Sequence, residues 1–155
     1  MKVMGFRADP NAPRYAIVSD EAGTYALLNA ASDSKLTIPV SLADDADEKR
    51  IYWLYREIEQ VFEAHQGISK VIIKCNEYTQ QETKAKRKSA YLDAAVMLCC
   101  AQKGIPVELK IYASMDTTSA NTKVHAENRV GRTAKYWDPK MADAVNAAWW
   151  GLRHP

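Results

Sequence analysis

The residues of this chain best suited to chemistry are cations set beside aromatics. Lys84–Lys88 reads KAKRK, and Lys123, Arg129, Arg132 and Lys135 follow later in the chain. Tyr78, Tyr91 and Tyr136 are interleaved with them, and Trp137 is adjacent. Cations neutralise phosphates while aromatic faces stack on bases, so this composition suits contact with nucleic acid. A solvated surface at the start of a helix is the simpler reading, and both stay open. Asp143 is a different case. It lies near the start of a short terminal helix within Trp137–Leu152 (WDPKMADAVNAAWWGL). On a helical wheel it falls nearly opposite the apolar stripe, where a solvated role is expected unless it has partners in a site.

Other chemistries find little support. There is no Gly-rich phosphate loop, no HExxH and no Gly-x-Ser-x-Gly elbow. Nothing in their spacing supports Cys75 and His125 as a nucleophile and base. Asp44, Asp45, Asp47 and Glu48 are expected to cap and charge a helix N-terminus rather than bind metal. Cys99 and Cys100 are adjacent and Cys75 stands alone, so neither a disulfide framework nor metal-ligand spacing is present. A net charge of +2 does not by itself imply a polyanionic partner.

Elements that would position these residues can be read from periodicity. Residues 2–9 form a first strand, with Val3, Gly5, Arg7 and Asp9 on one face and Lys2, Met4, Phe6 and Ala8 on the other. Arg14–Ser19 and Thr24–Leu28 complete an antiparallel meander. Lys35–Val40 is strand-like, demoted to an edge by Pro39. A helix over Glu48–His65 carries the stripe Ile51, Leu54, Tyr55, Ile58, Val61 and Phe62. Lys70–Cys75 is a buried strand. A helix from about Lys86 to Gln102 follows, with Ala90, Tyr91, Ala94, Met97, Leu98 and Ala101 inward, and Ile105–Tyr112 is the next strand. Ala113–Tyr136 is irregular. The last helix starts with Asp138 as N-cap and Pro139 in its first turn, and buries Met141, Ala144, Val145, Ala148 and Leu152. With 155 residues, 47% hydrophobic and 26% charged, one globular domain over residues 1–155 is expected. No apolar run reaches membrane-spanning length, and a cytoplasmic protein is expected.

A meander, β-α-β crossovers and a closing helix make up an α/β, three-layer arrangement with a mixed sheet. In this order of elements the chain resembles the RNase H-like superfamily, and within it the RuvC-like resolvases and nucleases and their small uncharacterised bacterial relatives. Val3–Val18 resembles their opening strand and turn, Lys70–Cys75 their fourth strand, and Asp143–Leu152 their closing helix with its Asp-Ala pair. The resemblance implies two-metal phosphodiester hydrolysis by converging carboxylates, with Mg²⁺ or Mn²⁺. Asp143 matches. Arg7, however, stands where the family has its first aspartate, Lys74 where it has a glutamate, and Lys140 where an acid or histidine precedes the helical aspartate.

The nearest remaining acids are Asp9 and Glu77. Asp9 lies one further two-residue step along the strand, roughly 7 Å, and its Asp-Pro pair also suits a turn. An active enzyme would then use Asp9, Glu77 and Asp143, with Asp9 and Asp143 on the metal. The expectation preferred here is a pseudoenzyme that binds nucleic acid or a protein partner. In that reading Arg7, Lys74, Lys140 and the run Lys84, Lys86, Arg87 and Lys88 contact phosphate. A metal-dependent nuclease is the first alternative, and a purely structural interaction protein the second. Tyr52, Trp53, Tyr55, Trp149 and Trp150 make a homodimer or partner surface a further expectation.

Overall fold

The computed structural model describes residues 1–31 and 34–155. Strands β1 (Lys2–Arg7), β2 (Arg14–Glu21) and β3 (Thr24–Leu27) form the meander. Helix α1 (Asp47–Ala64), strand β4 (Ile68–Lys74), helix α2 (Lys84–Lys103) and strand β5 (Val107–Lys110) supply the crossovers. A 3-10 turn at Ala113–Met115, helix α3 (Thr122–Arg129) and helix α4 (Pro139–Arg153) complete the chain. The sheet order is β3-β2-β1-β4-β5. The β1–β2 and β2–β3 pairs are antiparallel, and the β1–β4 and β4–β5 pairs are parallel. This is the α/β arrangement expected from the order of elements.

Alternation along β1 divides the core in two. Met4, Phe6 and Ala8 join Ile17, Val71 and Ile73 under α1 and α2. Val3 joins Ala16, Val18 and Ile72 under α4. Gly5 is required on that second face. A Cβ there would stand 1.8 Å from the Ala144 carbonyl oxygen and 2.6 Å from the Ala148 nitrogen. The helix backbone therefore rests directly on the strand, and Gly151 repeats the device against Val3 and Ile72.

Several local expectations change. Lys35 makes an isolated bridge to Arg14 and no strand continues from it; Pro39 lacks the donor that a ladder needs. Val107–Lys110 is shorter than the strand expected over Ile105–Tyr112. Ala46, whose side chain has no acceptor, caps α1, so the acidic cluster supplies charge in the first turn through Asp47 and Glu48 but no side-chain cap. Asp138 does cap α4, accepting from the Met141 N–H at 2.9 Å. Helix α2 buries Leu92, Asp93, Ala95, Val96, Cys99 and Cys100 instead of the stripe centred on Ala94 and Met97. Apolar residues run almost all the way round this helix, so periodicity alone does not select its inward face. Finally, α3 occupies part of the segment expected to be irregular. Its buried residues are Thr122 and Ala126, which make no apolar stripe.

Candidate functional site

The C-terminal ends of the parallel strands β1 and β4 lie side by side, the usual place for a site in an α/β sheet. Arg7 ends β1 and Lys74 ends β4, and they are register partners. Arg14 lies opposite Arg7 on the other side, and Lys110 opposite Lys74. Four basic residues thus form one row across β2, β1, β4 and β5. Like charges in adjacent strands repel, and each of these is met by a carboxylate. Arg14 pairs with Asp138 at 2.8 Å, Arg7 Nε with Asp143 at 3.2 Å, Lys74 with Glu77 at 3.0 Å, and Lys110 with Glu108 at 2.8 Å.

Asp143 is held from three sides. Its Oδ1 accepts from the Thr122 hydroxyl at 2.7 Å, and its Oδ2 accepts from the Tyr112 hydroxyl at 3.0 Å and faces Arg7. It is 1% exposed, so the solvated position expected from the helical wheel is corrected. The cause is α3, which packs against α4 and brings Thr122 to the carboxylate. The Asn146 amide fixes that packing, donating to the Thr122 carbonyl at 2.9 Å and hydroxyl at 3.0 Å. Burial pushes the Asp143 carboxyl above the usual carboxylate range, against the pull of Thr122, Arg7 and Tyr112.

Lys74 is fully buried. Its ammonium donates to Glu77 and to the Cys75 carbonyl, and lies 4.0 Å from the centroid of the Tyr112 ring. Burial lowers its pKa, Arg7 adds to that, and Glu77 opposes it. An ammonium so enclosed is an internal strut, out of reach of a surface phosphate. Lys140 bonds Asp9 Oδ2 at 2.6 Å, while Asp9 Oδ1 accepts from the N–H groups of Asn11 at 2.9 Å and Ala12 at 2.8 Å. The turn reading of Asp9 is therefore realised in the structure. Its burial would raise its pKa, but Lys140 and the two amides outweigh that and lower it.

The three predicted acids are each paired with a different cation, Asp9 with Lys140, Glu77 with Lys74 and Asp143 with Arg7. Among the described residues no group of three or more His, Cys, Asp or Glu stands where it could hold a metal ion. The basic run is also internally engaged. Lys84 pairs with Asp44 at 3.2 Å, Arg87 with Glu82 at 2.9 Å, and the buried Lys88 with Asp47 at 3.0 Å; Lys86 donates to the Gln81 carbonyl at 3.0 Å. Lys84 and Arg87 nevertheless remain largely exposed.

Sequence reasoning did not single out Tyr112, Thr122, Asn146 or Asp93. Asp93 sits on α2, 4% exposed, with Oδ1 sealed and without a hydrogen-bond partner. Burial raises its pKa to about 7 against the opposing fields of Arg7 and Lys74. An aspartate in the middle of LDAAV, inside an apolar helix, was the available signal.

RuvC of Thermus thermophilus in complex with a Holliday junction substrate matches this structure with a TM-score of 0.78, covering 99% of this chain and 96% of that one at 14% identity. The fold is that of the RuvC resolvases. A second T. thermophilus RuvC structure gives a TM-score of 0.77 at 13% identity, again over 99% and 96% of the two chains. The yeast mitochondrial Holliday junction resolvase gives 0.63 at 11% identity, over 98% of this chain and 80% of that one. No protein-family model matches the sequence, and no curated protein matches it. The layout described above is that of this fold: β1 and β4 lie adjacent and parallel, with α4 packed along one face of the sheet.

Proposed function

We propose that this chain uses a RuvC-like fold to bind nucleic acid without cutting it by the metal-dependent route. One observation carries the reading. The three carboxylates that the resemblance would recruit are each matched one-to-one by a cation, Asp143 by Arg7, Glu77 by Lys74 and Asp9 by Lys140. A pair of divalent ions needs several free carboxylate oxygens converging on one point. Here the donor set is spent on internal pairs, and Arg7 and Lys74 would repel an incoming dication. Mg²⁺ and Mn²⁺ do not fit these residues.

Binding is supported by the fold and by exposed cations around the strand ends. Lys84 and Arg87 on α2 and Lys140 on α4 stand outside the buried network and offer the phosphate contacts. Arg7 and Lys74 set the charge beneath them.

The test uses labelled branched, duplex and single-stranded DNA, each with and without Mn²⁺, read for both binding and cutting. Binding that weakens with salt and with Lys84→Ala/Lys140→Ala, with intact substrate throughout, is the expected outcome. Metal-dependent cutting that Asp143→Asn abolishes would replace this reading with that of an active nuclease.

A further inference from the structure

Beside the strand ends, between α2, the loop after β4 and the edge strand β5, lies an open cavity of about 390 Å³. Ligand pockets span about 300–1,000 Å³, so this one suits a small, flat molecule. Its walls are apolar: Tyr78, Ala90, Met97 and Leu109. Asn76 and Glu77 line it on the side of the strand-end row, and Lys86 also contributes to the lining. Asp93 lines the same space.

Asp93 is the feature that asks for an occupant. It is 4% exposed, and among the described residues its sealed Oδ1 accepts no hydrogen bond, so the carboxyl must turn that oxygen toward the cavity for an occupant to reach it. The neighbouring cations are committed elsewhere, Arg7 to Asp143 and Asn76, and Lys74 to Glu77. A buried carboxyl without partners is costly, and native proteins rarely leave one without a reason.

We infer that this cavity receives a single unpaired nucleobase bearing an exocyclic amine, with the amine donating to Asp93. The inference rests on the nucleic-acid reading above. Its chemistry follows from the lining. Asp93 holds its proton up to about pH 7; above that it is a carboxylate and only accepts, so its complement there is a projecting N–H. Cytosine, adenine and guanine carry such an amine. The ring N–H of thymine is recessed between two carbonyl oxygens that a carboxylate repels. Tyr78 and the Met97 side chain offer faces for a flat ring. Lys86, now bonded to the Gln81 carbonyl, is placed to turn to the attached phosphate. Continuity is the further argument: Asn76 lines the cavity and also accepts from Arg7 at 3.2 Å, joining it to the strand-end row.

The experiment titrates the full chain with the 5′-monophosphates of cytidine, adenosine, guanosine and thymidine, followed by amide chemical shifts, alongside anisotropy with branched DNA. Shifts should concentrate at Asn76, Tyr78, Met97 and Leu109, with thymidine monophosphate the weakest ligand. Asp93→Leu should weaken the amine-bearing nucleotides about tenfold or more and level them with thymidine monophosphate. Met97→Trp, which fills the cavity, should abolish all four. Should Asp93→Leu not fold, Asp93→Asn replaces it and should weaken the same three.

Equal affinity in the Asp93 variant, or shifts confined to other surfaces, overturns the inference. If branched DNA binds while no mononucleotide reaches the cavity, the cavity inference falls and the binding reading stands. If mononucleotides occupy the cavity but no DNA binds, the reverse holds. Preferential occupation by Nα-acetyl-lysine methylamide would overturn it in favour of a basic peptide.

Discussion

Asp143 and Asp93 sit on opposite faces of one sheet, each almost entirely out of water, and they are treated very differently. Asp143 receives two hydroxyls and a guanidinium. Among the described residues no donor reaches Asp93 Oδ1. Both have pKa values raised by burial, and that of Asp93 reaches about 7. The difference teaches that burial alone does not define a role. A carboxylate surrounded by fixed donors belongs to the architecture, whereas one left without them is unstable as a permanent arrangement and is best explained by something that arrives.

The largest expected effect breaks the satisfied side of this comparison. Asp143→Ala leaves the partly buried Arg7 without its counter-ion and frees Thr122 and Tyr112, which should cost about 2–4 kcal/mol in chemical denaturation at pH 7. A loss below about 1 kcal/mol would mean that the network is not structural. Asp93→Leu should move the other way, stabilising by roughly 1–3 kcal/mol at pH 8. The sign follows from linkage. With a folded-state pKa of about 7, well above the usual aspartate value of about 4, Asp93 ionises in the unfolded chain before it does so in the native one. Native stability therefore falls as pH rises from about 4 through 7. The gain from Asp93→Leu should shrink toward pH 4, and thermal melts across that range measure it.

Lys74→Met sharpens the comparison from the cationic side. It exchanges a buried ammonium for an apolar chain of similar length; the half-exposed Glu77 loses its counter-ion but keeps the Tyr112 N–H, and the Cys75 carbonyl loses one donor, so a change within about 1 kcal/mol is expected. A large loss would show that the row of cations holds the sheet ends together. Lys140→Ala, which breaks a partly exposed pair with Asp9, should cost least, about 0–1 kcal/mol, and less still in high salt.

The fold was legible because it rests on local signals. The alternation in KVMGFR, the apolar stripe of α1 and the Asp138–Pro139 start of α4 each point to their element without help from distant residues. The site was legible only in part. Arg7, Lys74 and Asp143 could be placed by order of elements, but their mutual neutralisation depends on the strand register and on α3. That helix escaped because it is held by Thr122 and Ala126 and by bonds from Asn146 rather than by an apolar periodicity. Asp93 escaped for the opposite reason: it lies within a helix so uniformly apolar that the inward face was misassigned.

The contact between Gly5 and the backbone of Ala144 and Ala148 has a consequence for motion. With no side chain between them, α4 has no cushion over which to slide or tilt against β1, and it separates from the sheet as a unit or not at all. Amide protons along Ala144–Ala148 should therefore exchange with solvent only when the whole domain opens. Those of α3, pinned chiefly by polar contacts, should exchange through cheaper local excursions that expose Asp143 while the sheet remains intact.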